Sequence, residues 1–416
     1  FSIFNFGVTH ESSMWKLKSR TSDQAVFPSS RKQKNFLERS GFNSIEDYEK
    51  SDFPLSVNEE IEVEIPPYLP QNKVGENAMR KVYTNIISMD KHVGRIINQL
   101  EEDGLLEKTI IVWYSDHGGP LPRQKRLLYD SGLRVPLIIR YPNMDRAGIR
   151  DDRLVSFVDF PPTLLSMVGI KPPNYMEGVA FEGIYKSKVE REFIHGHADR
   201  FDETVDMIRA VRNKRFKYLK NFFPERPYYI PLAYRENMPV MKELLRMRNA
   251  GELDKNQALW FRESKEDEEL FDTKNDPHEL NNLAKDPKYT EILNKLRKEC
   301  IRWMNEIDDK GLIDEVDLIA KFYPNGKAQL TEEPKIKIKE GKIYIDCLTP
   351  GSRIGYRFKS DKAPFLGWKF FKNPINLRKG DTLEIISHRL GFKYGITNVN
   401  DGRIGKTIYP PNRHDN

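Results

Sequence analysis

The 416-residue sequence holds only two cysteines, Cys300 and Cys347. That scarcity excludes a disulfide-framed mini-protein and a four-cysteine zinc module, and it permits one disulfide at most. No apolar run approaches the roughly 18 residues that a membrane-spanning helix needs. Charge of one sign is nearly absent in the balance: 68 Lys and Arg against 62 Asp and Glu leave +6. Spread over this length, that is not the signature of a nucleic-acid-binding protein. Internal repeats and low-complexity tracts are missing too. No initiator methionine, basic leader or cleavage site precedes Phe1, and the opening Phe1-Ser2-Ile3-Phe4-Asn5-Phe6 reads as a buried strand. The expectation is a C-terminal piece of a longer protein, with any targeting signal upstream. What is present, 38% hydrophobic and 11% aromatic residues, excludes wholesale disorder.

After Thr9-His10-Glu11, residues 12–68 are polar without sustained period and read as a long excursion with short helices. Val82, Ile86, Met89, Val93, Ile96 and Leu100 then step by three or four residues along one face of a long helix, with Gly104 past its end. Thr109 to Tyr114 is a buried-strand run that stops at Ser115-Asp116-His117-Gly118-Gly119. Val135–Tyr141 and Val155–Val158 read as further strands, and Asp159 can cap a helix over Pro161–Val168. Helices alternating with near-continuous apolar strands predict an α/β layer with a largely parallel sheet. From Glu192 the texture changes to short strands and charged helices, a smaller α+β subdomain. Tyr323–Pro334 reads as a linker. Beyond it, Lys335-Ile336-Lys337-Ile338-Lys339 alternates strictly and opens an all-β, sandwich-like module. The predicted divisions are 1–190, 191–322 and 335–416.

Four places could carry chemistry. Asp116 and His117 follow a strand end, where ligands gather in open α/β sheets. The carboxylate suits a hard cation such as Ca²⁺ or Mg²⁺, whereas the imidazole by itself points to a transition metal. The alternative is an Asp that caps a turn beside a satisfied His. Lys125 is a compact charge suited to an anion, or one of a solvated basic loop with Arg123 and Arg126. His10 can donate to an anion or a leaving-group oxygen, or be structural. His195-Gly196-His197 puts two imidazoles on one strand face without a third ligand fixed by sequence; Asp199 or Arg200 after it faces a charged substrate or forms a surface ion pair.

The order of these segments is more specific than any one of them. Thr9-His10, Met89-Asp90-Lys91-His92-Val93-Gly94, Ser115-Asp116-His117-Gly118, Lys125 to Ile138, Phe157-Val158-Asp159 with Pro162-Thr163-Leu164-Leu165, and Glu269-Leu270-Phe271-Asp272 with Asp276-Pro277-His278-Glu279-Leu280 occur in sequence. Together they resemble the later two-thirds of the type I sulfatases of the alkaline-phosphatase superfamily, over roughly residues 1 to 300. The resemblance implies the C-terminal part of an alkaline-phosphatase-like mixed sheet between helices, followed by the α+β subdomain. It implies that Asp116 and His117 bind a metal, Ca²⁺ in this family. It implies that Lys125 binds the sulfate, that His10 contacts the ester side, and that Asp199-Arg200 falls where relatives place a substrate-facing Arg. Members often have Pro two residues after that His; here it is Ser12, a departure.

A larger departure concerns the nucleophile. The family's formylglycine arises from a Cys/Ser-x-Pro-x-Arg motif, and the metal site is completed by an adjacent Asp pair. Neither occurs in these residues, and both are expected upstream of Phe1. The implied activity is hydrolysis of a sulfate ester on a polysaccharide or its oligosaccharides. A phosphodiesterase or phosphonate hydrolase on the same scaffold and an inactive glycan-binding relative are the alternatives. Members are usually exported, to the periplasm or cell surface among other places. Trp368 in the C-terminal module either packs or meets sugar, with packing the preferred role.

Overall fold

The structure, a computed structural model, describes residues 1–15, 61–361 and 367–410. The predicted excursion at 12–68 therefore falls largely outside the described residues. The chain divides into two compact units, Phe1–Asp309 and Lys310–Asn416.

In the first unit, α1 (Lys73–Glu102) is the predicted long helix. It starts where the Asn72 side chain accepts the Val74 and Gly75 amides at 3.0 and 3.3 Å, which satisfies two of the amides left without helical partners. Its buried positions are Ala78, Lys81, Thr84, Asn85 and Ser88, whereas Ile86 is 41% exposed. The apolar period thus located the helix but not its buried face. Periodicity reports which residues share a face and says nothing of what covers it.

Strand β1 (Ile111–Tyr114) pairs with β2 (Leu137–Arg140) antiparallel, Trp113 opposite Ile138. The expectation of a largely parallel sheet is corrected here, because every strand ladder among the described residues is antiparallel. Continuous apolar character marks a strand buried on both faces and does not encode its direction. Residues 1–6 form no strand, and Phe1, Ile3 and Phe4 are exposed. A strand exists only where a neighbour takes its backbone groups. Val155–Val158 is also not a strand: Ser156 and Asp159 form a reciprocal cap on a 3₁₀ turn, which leads into α2 (Phe160–Met167).

The α+β part is a meander of four antiparallel strands in chain order, β3 (Ile194–Phe201), β4 (Thr204–Arg212), β5 (Phe216–Asn221) and β6 (Glu268–Asp272). Its side chains alternate with the period of two that a sheet imposes. Ile208, Ala210, Leu219 and Phe271 join Leu127, Leu128, Tyr129 and α3 (Pro239–Ala250) in the main core. Val211, Tyr218 and Leu270 face the other way, onto Leu293, Leu296 and Cys300 of α4 (Thr290–Glu306).

Among its described residues the second unit holds α5 (Glu315–Phe322) and eight strands: β7 (Lys335–Lys339), β8 (Lys342–Asp346), β9 (Arg353–Phe358), β10 (Lys369–Phe370), β11 (Ile375–Asn376), β12 (Thr382–His388), β13 (Gly395–Asn400) and β14 (Arg403–Ile404). They form a five-stranded sheet, β10-β9-β12-β13-β14, and a three-stranded sheet, β11-β8-β7. Ile343, Ile345 and Ile375 from the smaller sheet meet Phe358, Leu383, Ile385 and Val399 from the larger in one core. That is the sandwich the alternation predicts. Cys300 and Cys347 are both free thiols.

Glu269 shares the buried face of β6 with Phe271, and its Oε2 accepts from the Tyr228 hydroxyl at 2.8 Å. Burial pushes its carboxyl up to about 7 from an ordinary 4.5. The native chain therefore keeps a proton that the unfolded chain releases, and stability falls as pH rises through that window. The fall is roughly 3 kcal/mol at about 1.4 kcal/mol per unit. In urea unfolding at pH 5 and pH 8, Glu269→Gln should remove most of this slope; an unchanged slope would contradict the assignment.

Candidate active site at the Asp116–Lys125 loop

After β1 the chain folds back tightly on itself. Gly118 and Gly119 donate to the Gly132 and Ser131 carbonyls at 2.8 and 3.0 Å, and Lys125 donates to the Gly119 carbonyl at 3.1 Å. A Cβ on Gly118 would lie 2.1 Å from the Ser131 oxygen, and one on Gly132 2.4 Å from the Gln124 and Leu127 oxygens. Glycine is thus required by close backbone approach.

Beneath the loop lies a buried ionic cluster. Lys217 Nζ is 2.5 Å from Asp130 Oδ1 and 2.9 Å from Glu279 Oε1, and it donates to the Leu128 carbonyl at 3.0 Å. Arg212 Nη2 holds Asp130 Oδ2 at 3.0 Å. The Asp130 amide donates to Glu279 Oε2 at 2.5 Å. Arg123 turns inward, donating to the His278 and Glu279 carbonyls at 2.8 Å each and lying 3.9 Å over the Tyr129 ring. Arg123 and Arg126 both have left-handed backbones, with φ of 65° and 76°. Those two turns separate three neighbouring cations, so that Arg123 points inward while Lys125 and Arg126 reach Glu11.

Glu11 is almost wholly buried. Both its oxygens accept from Arg126 Nη1 at 2.9 Å, and Oε2 lies 3.6 Å from Lys125 Nζ. Arg126 Nε in turn holds Asp202 Oδ2 at 2.9 Å. Glu11 and Arg126 were not singled out from the sequence, although each adjoins a singled-out residue with the opposite charge to its partner. Their pairing brings His10 to the Lys125 loop.

The Ser12 amide donates to His10 Nδ1 at 3.2 Å, with Ser12 Oγ 2.9 Å away. An amide only donates, so Nδ1 carries the lone pair and the neutral ring keeps its proton on Nε2. A proline at position 12 would have no such amide. Burial, and then the Lys125 charge, lower the His10 pKa from its ordinary value; His117 adds to this, while Glu11 and Asp116 oppose it. Lys125, His117 and Asp116 therefore lie within electrostatic reach of the His10 ring. His117 differs: Nδ1 is 2.9 Å from the Gly118 carbonyl, which only accepts, so Nδ1 carries a proton. Nε2 lies 3.6 Å from Asp116 Oδ1. A ring N–H held by a carbonyl is the usual support for a metal-binding imidazole. The Asp116 side chain is 85% exposed, so its oxygens are open.

Among the described residues, no group of three or more His, Cys, Asp and Glu side chains could hold a metal. A hard cation takes six to eight oxygens. Asp116 offers such an ion a carboxylate oxygen, whereas the His117 nitrogen is a donor of another type.

The remaining predicted residues have local partners. Arg200 donates to the Asp202 and Glu203 carbonyls at 3.0 and 3.4 Å, within the β3–β4 turn. Asp199 pairs at 2.7 Å with the buried Arg209, whose Nε holds Asp309 at 2.6 Å. His195 stacks on Trp303 at 4.8 Å and meets Glu299 Oε1 at 2.9 Å.

By NMR titration, His10 should have a midpoint below that of an ordinary histidine, and Lys125→Ala should raise it. A midpoint insensitive to Lys125 would separate the two residues. Gly118→Ala should destabilise the fold by about 3 kcal/mol or more through backbone overlap, measured by chemical unfolding; a near-neutral effect would contradict the close approach.

The family model described as Sulfatase matches residues 19–170, and that described as N-sulphoglucosamine sulphohydrolase, C-terminal, matches residues 123–254. An ulvan-active sulfatase of Formosa agariphila is 46% identical over 403 residues, covering 94% of this chain and 66% of that protein. N-sulphoglucosamine sulphohydrolase of Homo sapiens is 26% identical over 265 residues, covering 60% of this chain and 52% of that protein. A structure solved in complex with its substrate D-glucosamine-2-N,6-O-disulfate has a TM-score of 0.43 at 22% identity, covering 57% of this chain and 43% of that one. The chain spans just under two thirds of the first relative's length and about half of the second's.

Proposed function

The chain belongs to the sulfatase family, and from that premise we propose that it supplies the sulfate-binding and leaving-group side of a sulfuric ester hydrolase acting on a sulfated polysaccharide. What supports this is the buried Glu11 carboxylate, adjacent in the chain to His10 and 3.6 Å from Lys125 Nζ, with Asp116 and His117 within electrostatic reach of the His10 ring. The relative active on ulvan supports an ulvan-like polysaccharide or its oligosaccharides as substrate.

In this reading Lys125 Nζ binds a sulfate oxygen as a fixed point charge, and its charge offsets the negative charge that grows there in the transition state. Glu11 is the counter-charge that holds the ammonium in place. His10 Nε2–H, set by the Ser12 amide at Nδ1, donates a hydrogen bond to the bridging oxygen and stabilises the negative charge that grows there as the ester bond breaks. Asp116 and His117 would hold a divalent cation, Ca²⁺ in this proposal, which when bound supplies fixed positive charge beside the sulfate oxygens. The nucleophile is proposed to be a formylglycine encoded upstream of Phe1. Arg200, with Asp199, is assigned to substrate contact on family resemblance alone, as is export to the periplasm or cell surface. No helix among the described residues is long and apolar enough to cross a membrane. Residues 1–190 and 191–322 are assigned to the catalytic and α+β parts, and 335–416 to an accessory module.

The test is sulfate release from ulvan by the native gene product, read by ion chromatography. Lys125→Ala should lower kcat/KM by roughly 10²- to 10³-fold, the scale of losing one transition-state charge contact, and His10→Ala should lower kcat more than it raises KM. Unchanged release by Lys125→Ala, or faster hydrolysis of a phosphonate monoester than of any sulfate ester, would sink this assignment.

A further inference from the structure

The second unit carries a cleft of its own, with a volume of about 510 Å³, within the range of small-ligand sites. It lies where an edge of each sheet comes together, β10 of the larger and β11 of the smaller. Tyr356 and Phe370 line it with Lys369, Lys372 and Arg378, and no lining residue is acidic. Phe358 and Ile375, both buried, also line it.

Two of the cations are held in place from behind. Asp361 accepts from Lys369 Nζ at 3.0 Å and from Arg378 Nη1 at 2.5 Å, and the Arg378 guanidinium lies 4.0 Å over the Phe358 ring. One carboxylate therefore fixes two cations without cancelling the three. Lys372 is exposed, and Phe370 is 74% exposed. Trp368 is occupied otherwise: Arg357 lies 4.6 Å over its ring, and it is not among the lining residues.

An open cleft with three cations and three aromatic side chains, of which Phe370 is the exposed one, suits a ligand that is flat and apolar on one face and permanently anionic at its edge. Sulfate esters remain ionised across the physiological range, and a pyranose ring presents its C–H bonds to an aromatic face. We propose that this cleft is a non-catalytic binding site for a sulfated saccharide. It gathers charge with Lys372 and the preset Lys369–Arg378 pair, and it stacks the sugar on Phe370 and Tyr356. Because the cleft lies wholly within Lys310–Asn416, its binding can be lost while the Lys125 cluster is intact, and the reverse.

The full 416-residue chain is run in native gels containing a sulfated galactan, the same galactan after chemical desulfation, or double-stranded DNA, at physiological salt. The sulfated galactan should retard the chain and the desulfated one should not. The double variant F370A/K372A should bind about tenfold more weakly, a change of about 1.4 kcal/mol, with an unchanged melting temperature. Lys125→Ala should keep most of the retardation, which places the binding in the second unit. Equal retardation by the desulfated galactan or by DNA would overturn the proposal, as would wild-type binding by the double variant. Loss of retardation in Lys125→Ala alone would do so as well, and would assign the binding to the catalytic cluster.

Discussion

The first unit depends on a positive charge placed where no water can reach it. Lys217 lies on β5 facing the main core, and its ammonium meets Asp130, Glu279 and the Leu128 carbonyl. Desolvating these charges is expensive, and their mutual attraction repays it only because the geometry is close to ideal. The benefit is positional. Removing any one partner would strand the others, a penalty of about 3–5 kcal/mol for a broken buried pair. The loop from Gly118 to Gly132 is therefore bound to the sheet at a fixed height. The segment around Glu279 does not merely follow β6; it supplies the carboxylate that receives the Asp130 amide.

A second counter-charge works on the solvent side. Glu11 is as buried as Lys217, but it serves residues that reach outward, Lys125 and Arg126. Arg126 carries the link onward to Asp202 in the β3–β4 turn. His10, beside Glu11 in the chain, is thereby brought to Asp116 and His117, more than a hundred residues later. The two imidazoles meet different backbone groups: the Ser12 amide donates to His10 Nδ1, and the Gly118 carbonyl lies 2.9 Å from His117 Nδ1.

Much of this was legible in the residues. The short strands after Glu192 and the alternating strands of the C-terminal module were legible from their residue types, and α1 from its period. His10, Asp116, His117 and Lys125 were each singled out as candidates, and their placement in one site was what the family resemblance implied. Glu11 and Arg126 were passed over because a charged residue next to a candidate looks like any solvated charge until its partner is known. The opening strand and the strand at 155–158 were misread because apolar character says a segment wants cover and not which cover it finds. In the first case no neighbour among the described residues takes the backbone; in the second a local Ser156–Asp159 cap competes successfully with extension.

Sequence by itself determined local periods, turn chemistry and the identity of the groups able to bind an anion or a cation. These are properties of a residue and its near neighbours, so they survive without knowledge of the fold. Only the tertiary structure decided strand direction, the buried face of α1, and which of three adjacent cations faces the site. It also decided that Asp199 answers Arg209 and that Arg200 bonds within its own turn. Those outcomes depend on what a side chain meets across long sequence separations. In a low-dielectric interior the partner, more than the residue, sets the energy of a charge.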